Sequence, residues 1–133
     1  MNGIIKKTAT LGLILLSLFS MTAGANTTND LELWFFHDQS CPWCHHMAPD
    51  VKVVSKILNI KTVGLPDKGE SIEGFDEVRQ DNQAYRTHRV IYMPTLILVN
   101  TQTGEHQVIS SGALNGDELY QRVAQAKQAL KHV

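Results

Sequence analysis

The residues best equipped for chemistry are Cys41 and Cys44, the only two cysteines in the chain, separated by Pro42 and Trp43. Residues three apart on a helix share a face, so the two sulfurs could join in a disulfide, or one could attack what the other holds. If a helix begins here, Cys41 faces unpaired backbone N–H groups and the positive end of the helix dipole, which stabilise a thiolate. Cys41 is then the expected nucleophile. Pro42 suits the first helical turn, where its missing donor costs nothing. Cys44, deeper in the helix, is the expected resolving thiol that releases substrate from a mixed disulfide. Pro42 and Trp43 would tune the redox potential without revealing its value. The chemistry implied is thiol–disulfide exchange.

Other uses of these cysteines compete. A purely structural disulfide closing so short a loop contributes only about 2 kcal/mol, against about 4 to 5 for a loop of a hundred residues. The run Cys41-Pro42-Trp43-Cys44-His45 also matches the c-type haem attachment pattern. Against haem stand the strand preceding the motif and a proline that pre-sets a helical start. A metal set of Cys41, Cys44, His45 and His46 is disfavoured, because adjacent histidines on a helix point about 100° apart and no second ligand pair is evident in the sequence. His45 and His46 are read as solvent-facing or at the substrate edge, and neither a metal nor a cofactor is called for.

The elements that must position the dithiol follow from periodicity. Leu31 to Phe36 is nearly continuous in apolar character, as for a central strand covered on both faces. From Trp43 the apolar residues Met47, Val51, Val54 and Leu58 fall at helical spacing, with Pro49 expected to kink the helix. Lys61 to Leu65 reads as a second strand, and Pro66 to Gln80 as a surface loop. Asp81 to His88 suits a short helix capped by Asp81. Thr95 to Asn100 is a buried strand, and the turn at Thr101-Gln102-Thr103-Gly104 leads into an antiparallel strand at Gln107-Val108-Ile109. The last helix follows Asn115, with Leu119, Val123, Ala126 and Leu130 as its apolar stripe. The order β-α-β-α-β-β-α predicts an α/β domain with a mixed central sheet of about four strands and helices on both faces.

Residues 1–25 read as a cleavable export signal, with Lys6 and Lys7, an apolar stretch from Leu11 to Met21, and a small-residue site at Ala23-Gly24-Ala25. The apolar stretch is short for a membrane span. Cleavage leaves one domain over residues 26–133, in a compartment where thiols can be oxidised. Removing Lys6 and Lys7 leaves ten basic against thirteen acidic residues, a net charge of −3. That balance excludes a basic footprint for nucleic acid. With 43% hydrophobic and 19% charged residues, the composition also excludes collagenous and disordered classes.

Met93-Pro94 stands just before a buried strand, downstream of a strand-CxxC-helix unit, and this arrangement resembles the thioredoxin superfamily. The resemblance implies a thioredoxin-like fold, a cis proline at Pro94 lying against the dithiol, and a substrate-binding role for Met93 and Pro94. Further runs are similar to the periplasmic TrbB and TraF group of conjugative transfer systems. These are Asp81-Asn82-Gln83-Ala84-Tyr85, Met93 to Asn100, Thr103-Gly104, Ser111-Gly112-Ala113-Leu114 and Glu118-Leu119. They imply a periplasmic oxidoreductase or disulfide isomerase that serves pilus or type IV secretion assembly. Its partners would be exported polypeptides with cysteines, a membrane or periplasmic redox partner, and conjugative transfer proteins. One departure stands out: many thioredoxin-like oxidoreductases carry an acidic proton acceptor where this chain has Phe35. A non-catalytic assembly factor, docking through the loop from Pro66 to Gln80, is the second reading.

Overall fold

Alternating apolar side chains in the central strands force a sheet that is covered on both sides, and the computed structural model, which describes residues 30–131, shows how. Strand β1 (Leu31–His37) sends Leu31, Leu33 and Phe35 to one face, and Phe36 to the other. Strand β4 (Thr95–Asn100) divides Leu96 and Leu98 from Ile97 and Val99 in the same way. The period of two therefore builds two apolar clusters from the same strands. On the larger side lie helices α1 (Pro42–Leu58) and α3 (Gly116–Lys131), which contribute Met47, Val51, Val54, Leu119, Val123, Ala126 and Leu130. The six-residue helix α2 (Asn82–Thr87) supplies Ala84 and Tyr85 to the other side.

The remaining strands are β2 (Lys61–Pro66), β3 (Glu77–Val78) and β5 (His106–Ser111), and the sheet order is β3-β2-β1-β4-β5. Strands β1, β2 and β3 run parallel, whereas β4 is antiparallel to both β1 and β5. The sheet thus has five strands where the sequence indicated about four. The extra one, β3, is two residues long, too short to leave a periodic signal, and it lies in the segment read as a surface loop. That segment is tied down throughout. Asp76 accepts from the backbone N–H of Thr62 at 2.8 Å and from its hydroxyl at 2.9 Å, Ile72 enters the larger core cluster, and Phe75 packs against it.

Helix ends match their local chemistry. Asp81 caps α2 by accepting from the Ala84 N–H at 2.9 Å, and Asn115 Oδ1 accepts from the Glu118 N–H at 2.9 Å before α3. Helix α1 runs unbroken through Pro49 and closes on Asn59 in the left-handed conformation, φ 53°. The export signal and its cleavage site lie outside the described residues.

One close approach fixes how the loop meets the sheet. A Cβ on Gly64 of β2 would stand 2.7 Å from the Phe75 ring and 3.0 Å from Ser71 Oγ. Gly64→Ala is expected to lose about 1 to 3 kcal/mol in urea unfolding, the range for overpacking. A variant as stable as the parent would show that the Phe75 seat is not tight.

Candidate active site

Strand β1 ends at His37, and a turn with Cys41 N–H donating to the Asp38 carbonyl at 3.0 Å delivers the chain into α1. This places Cys41 at the helix N-cap, in extended conformation, with its Sγ accepting from the Cys44 N–H at 3.2 Å. The sulfur takes the place of the usual capping oxygen, so an unpaired helix N–H points at it. Pro42 and Trp43 are exposed, Trp43 by 62%. One turn of helix separates the environments of the two thiols: Cys41 is half-buried, and Cys44 is fully buried in the larger core cluster.

Burial pushes the Cys44 thiol up to about 12, and its hydrogen bond with Cys41 adds to the shift, while a backbone hydrogen bond at Asp38 acts in the opposite direction. Both cysteines are free. Cys44 is therefore a protonated thiol beside a more accessible sulfur, the arrangement in which one sulfur meets substrate and the other resolves. Its burial also leaves Cys44 no exposed face to offer a porphyrin. Phe35, at the position where many thioredoxin-like oxidoreductases carry a carboxylate, is fully buried. The carboxylate near Cys44 is that of half-buried Asp38, held below its usual range by hydrogen bonds from the backbone N–H and hydroxyl of Ser40.

Met93 and Pro94 come to the same end of the sheet. The register pairs Phe36 of β1 with Thr95 of β4, so the residues that follow β1 and those that precede β4 share one edge. The Met93–Pro94 bond is cis. Pro94 is buried, and its carbonyl accepts from the Gly112 N–H at 2.7 Å. Met93 packs against both core clusters, one of which includes Cys44 and is also touched by Cys41. The two residues just before Met93, Ile91 and Tyr92, are 80% and 65% exposed and extend an apolar surface at this edge. No periodic pattern in the sequence marks them. His45 and His46 are exposed, as expected. His45 Nε2 lies 2.6 Å from the Gln39 carbonyl, and the His46 ring meets Trp43 edge to face at 5.8 Å.

The residue that sequence reasoning passed over is His37. It is fully buried, and its ring packs against those of Phe35 at 5.4 Å and Phe75 at 5.5 Å, which also touch each other at 5.4 Å. Its Nε2 accepts from the Ile72 N–H at 3.1 Å, which leaves Nδ1 to donate to the Phe35 carbonyl at 3.0 Å. The Tyr85 hydroxyl donates to the Leu65 carbonyl and lies 3.3 Å from the His37 carbonyl, and Asp67 N–H donates to that same carbonyl at 2.9 Å. His37 thus fastens the 66–80 loop to the strand end that launches Cys41. The available signal was a histidine continuing an apolar strand.

Residues 22–124 match the family described as TraF, F plasmid transfer operon protein. The chain belongs to the TraF family. This TraF-family chain has no match among curated proteins. Its fold is thioredoxin-like. It is similar to MTB dsbF, at 21% identity and TM-score 0.61, covering 74% of this chain and 81% of that one. It is also similar to a secreted Mycobacterium tuberculosis disulfide oxidoreductase, at 18% identity and TM-score 0.55, covering 71% and 81%. Fasciola hepatica thioredoxin matches at 22% identity and TM-score 0.53, covering 74% and 82%.

Burial holds the His37 pKa below its ordinary value near 6.5. The unfolded chain therefore binds this proton first on acidification, and stability falls as pH drops below about 6.5 toward the native pKa. Urea unfolding across that window should show the loss in the parent. His37→Gln, which keeps an acceptor but does not titrate, should show a shallower slope. Equal slopes would remove His37 as the source.

Proposed function

We propose that this chain is a thiol–disulfide oxidoreductase or isomerase of exported proteins, working in the periplasm as a domain of residues 26–133 after removal of residues 1–25. The observation that carries the reading is the division of the dithiol. Cys41 is the more accessible sulfur, at a helix N-cap, and its partner Cys44 is buried and protonated, at the sheet edge that also bears Met93 and Pro94. Membership in the TraF family supports conjugative pilus or type IV secretion proteins as the setting.

In the reductive direction, Cys41 as thiolate attacks one sulfur of a client disulfide. The Cys41–client bond forms, the client S–S bond breaks, and the leaving client thiolate takes a proton from solvent. Cys44 then gives up its proton and attacks Cys41 Sγ. The Cys41–Cys44 bond forms, and the second client sulfur leaves with the electron pair of the broken mixed disulfide. Two electrons pass from the dithiol to the client, and a periplasmic or membrane redox partner must return them. Oxidation of a client is the same sequence reversed. Isomerisation ends with attack on the mixed disulfide by another client thiol, which regenerates Cys41. With Phe35 in place of a carboxylate, solvent or the departing client thiolate accepts the Cys44 proton. Met93, Pro94 and the exposed Trp43, Ile91 and Tyr92 form the surface for an extended, partly apolar client segment.

The test is a trapping experiment in cells. Cys44→Ser should accumulate mixed disulfides between Cys41 and exported proteins on non-reducing gels, and Cys41→Ser should accumulate none. Absence of trapped clients, or full function in conjugative transfer after both cysteines become serine, would contradict the catalytic reading.

A further inference from the structure

On the face of the sheet opposite α1 and α3, cover is sparse, because α2 has only six residues. Here His88, which ends α2, and His106, which opens β5, bring their rings together with centroids 4.6 Å apart at 84°. The His88 ring also meets Trp34 edge to face at 5.6 Å and Phe36 at 6.3 Å. Its Nδ1 is buried and has no hydrogen-bond partner among the described residues. A buried ring nitrogen without a partner calls for an explanation, since such atoms nearly always find one in protein, water or an ion.

We propose that His88 and His106 form a two-imidazole site for a divalent transition-metal ion, binding Cu2+ most tightly. An ion held by two imidazole nitrogens at about 2.0 to 2.1 Å, with ligand angles of roughly 90° to 110°, sets the ring centroids about 4.5 to 5.2 Å apart. The observed separation falls within that range. Imidazole suits Cu2+, Ni2+ and Zn2+, with Cu2+ first in affinity. No group of three or more ligating side chains converges among the described residues. Water or an external ligand therefore completes the coordination on the side of exposed His106. A bound ion would join the end of α2 to β5 across the sheet face, five residues before Met93.

Trp34 supplies the readout, because a Cu2+ ion beside His88 lies within quenching range of its indole. The protein used is untagged and carries Cys41→Ser and Trp43→Phe, so that the accessible thiol and the second tryptophan are absent. Cu2+ added at neutral pH should quench Trp34 saturably at one equivalent. His106→Ala, an exposed strand position that circular dichroism can confirm as folded, should raise the midpoint by at least the roughly tenfold cost typical of losing even a supporting residue of a metal site. His88→Gln should do the same, and His45→Ala should not. Quenching that never saturates, or a midpoint unchanged by His106→Ala, would overturn the site.

Discussion

Everything at the active edge depends on where the chain leaves β1. Because the strand ends in the core at His37 and the helix begins five residues later at Pro42, the N-cap falls on Cys41 and the next residue facing inward is Cys44. One helical turn thus separates a sulfur that meets solvent from a sulfur buried in the core cluster that also holds Met47 and Phe35. The chemical difference between two identical side chains is produced by burial, with the hydrogen bond between them reinforcing it. No carboxylate or metal is needed to create that inequality.

The edge is held from three directions. Helix α1 is anchored through its apolar stripe, and β4 enters beside β1 with Pro94 at its start. The third support is the 66–80 loop, clamped by His37, Ser71, Ile72 and Phe75. The rings of Phe35, His37 and Phe75 pack against one another at the end of β1. Such packing stiffens the strand end, while the carboxylate near Cys44 is that of Asp38.

Much of this was legible in the sequence because the signals were local. The alternation in Leu31 to Phe36 and in Thr95 to Asn100, the stripe from Met47 to Leu58 and the cap at Asp81 each lie within one element, and each appears within a residue or two of its expected bounds. The dithiol at the strand–helix junction was legible for the same reason. What escaped depends on contacts between distant segments. His37 gains its role from Ile72, 35 positions away, and β3 is a two-residue strand supported by its partner β2. The pairing of His88 with His106 joins a helix end to a strand start, and no spacing rule encodes it. Ile91 and Tyr92 are exposed at the edge only because β4 starts where it does.

The claim on which the account turns is that one sulfur is available to partners and the other is kept as a buried thiol. Brief alkylation of the reduced, native protein with iodoacetamide, followed by peptide mass mapping, tests it most directly. At pH values well below the Cys44 pKa of about 12, Cys41 should be modified and Cys44 spared, with Cys44 reacting only once the protein is unfolded. Modification of both thiols at similar rates in the folded state would contradict the account.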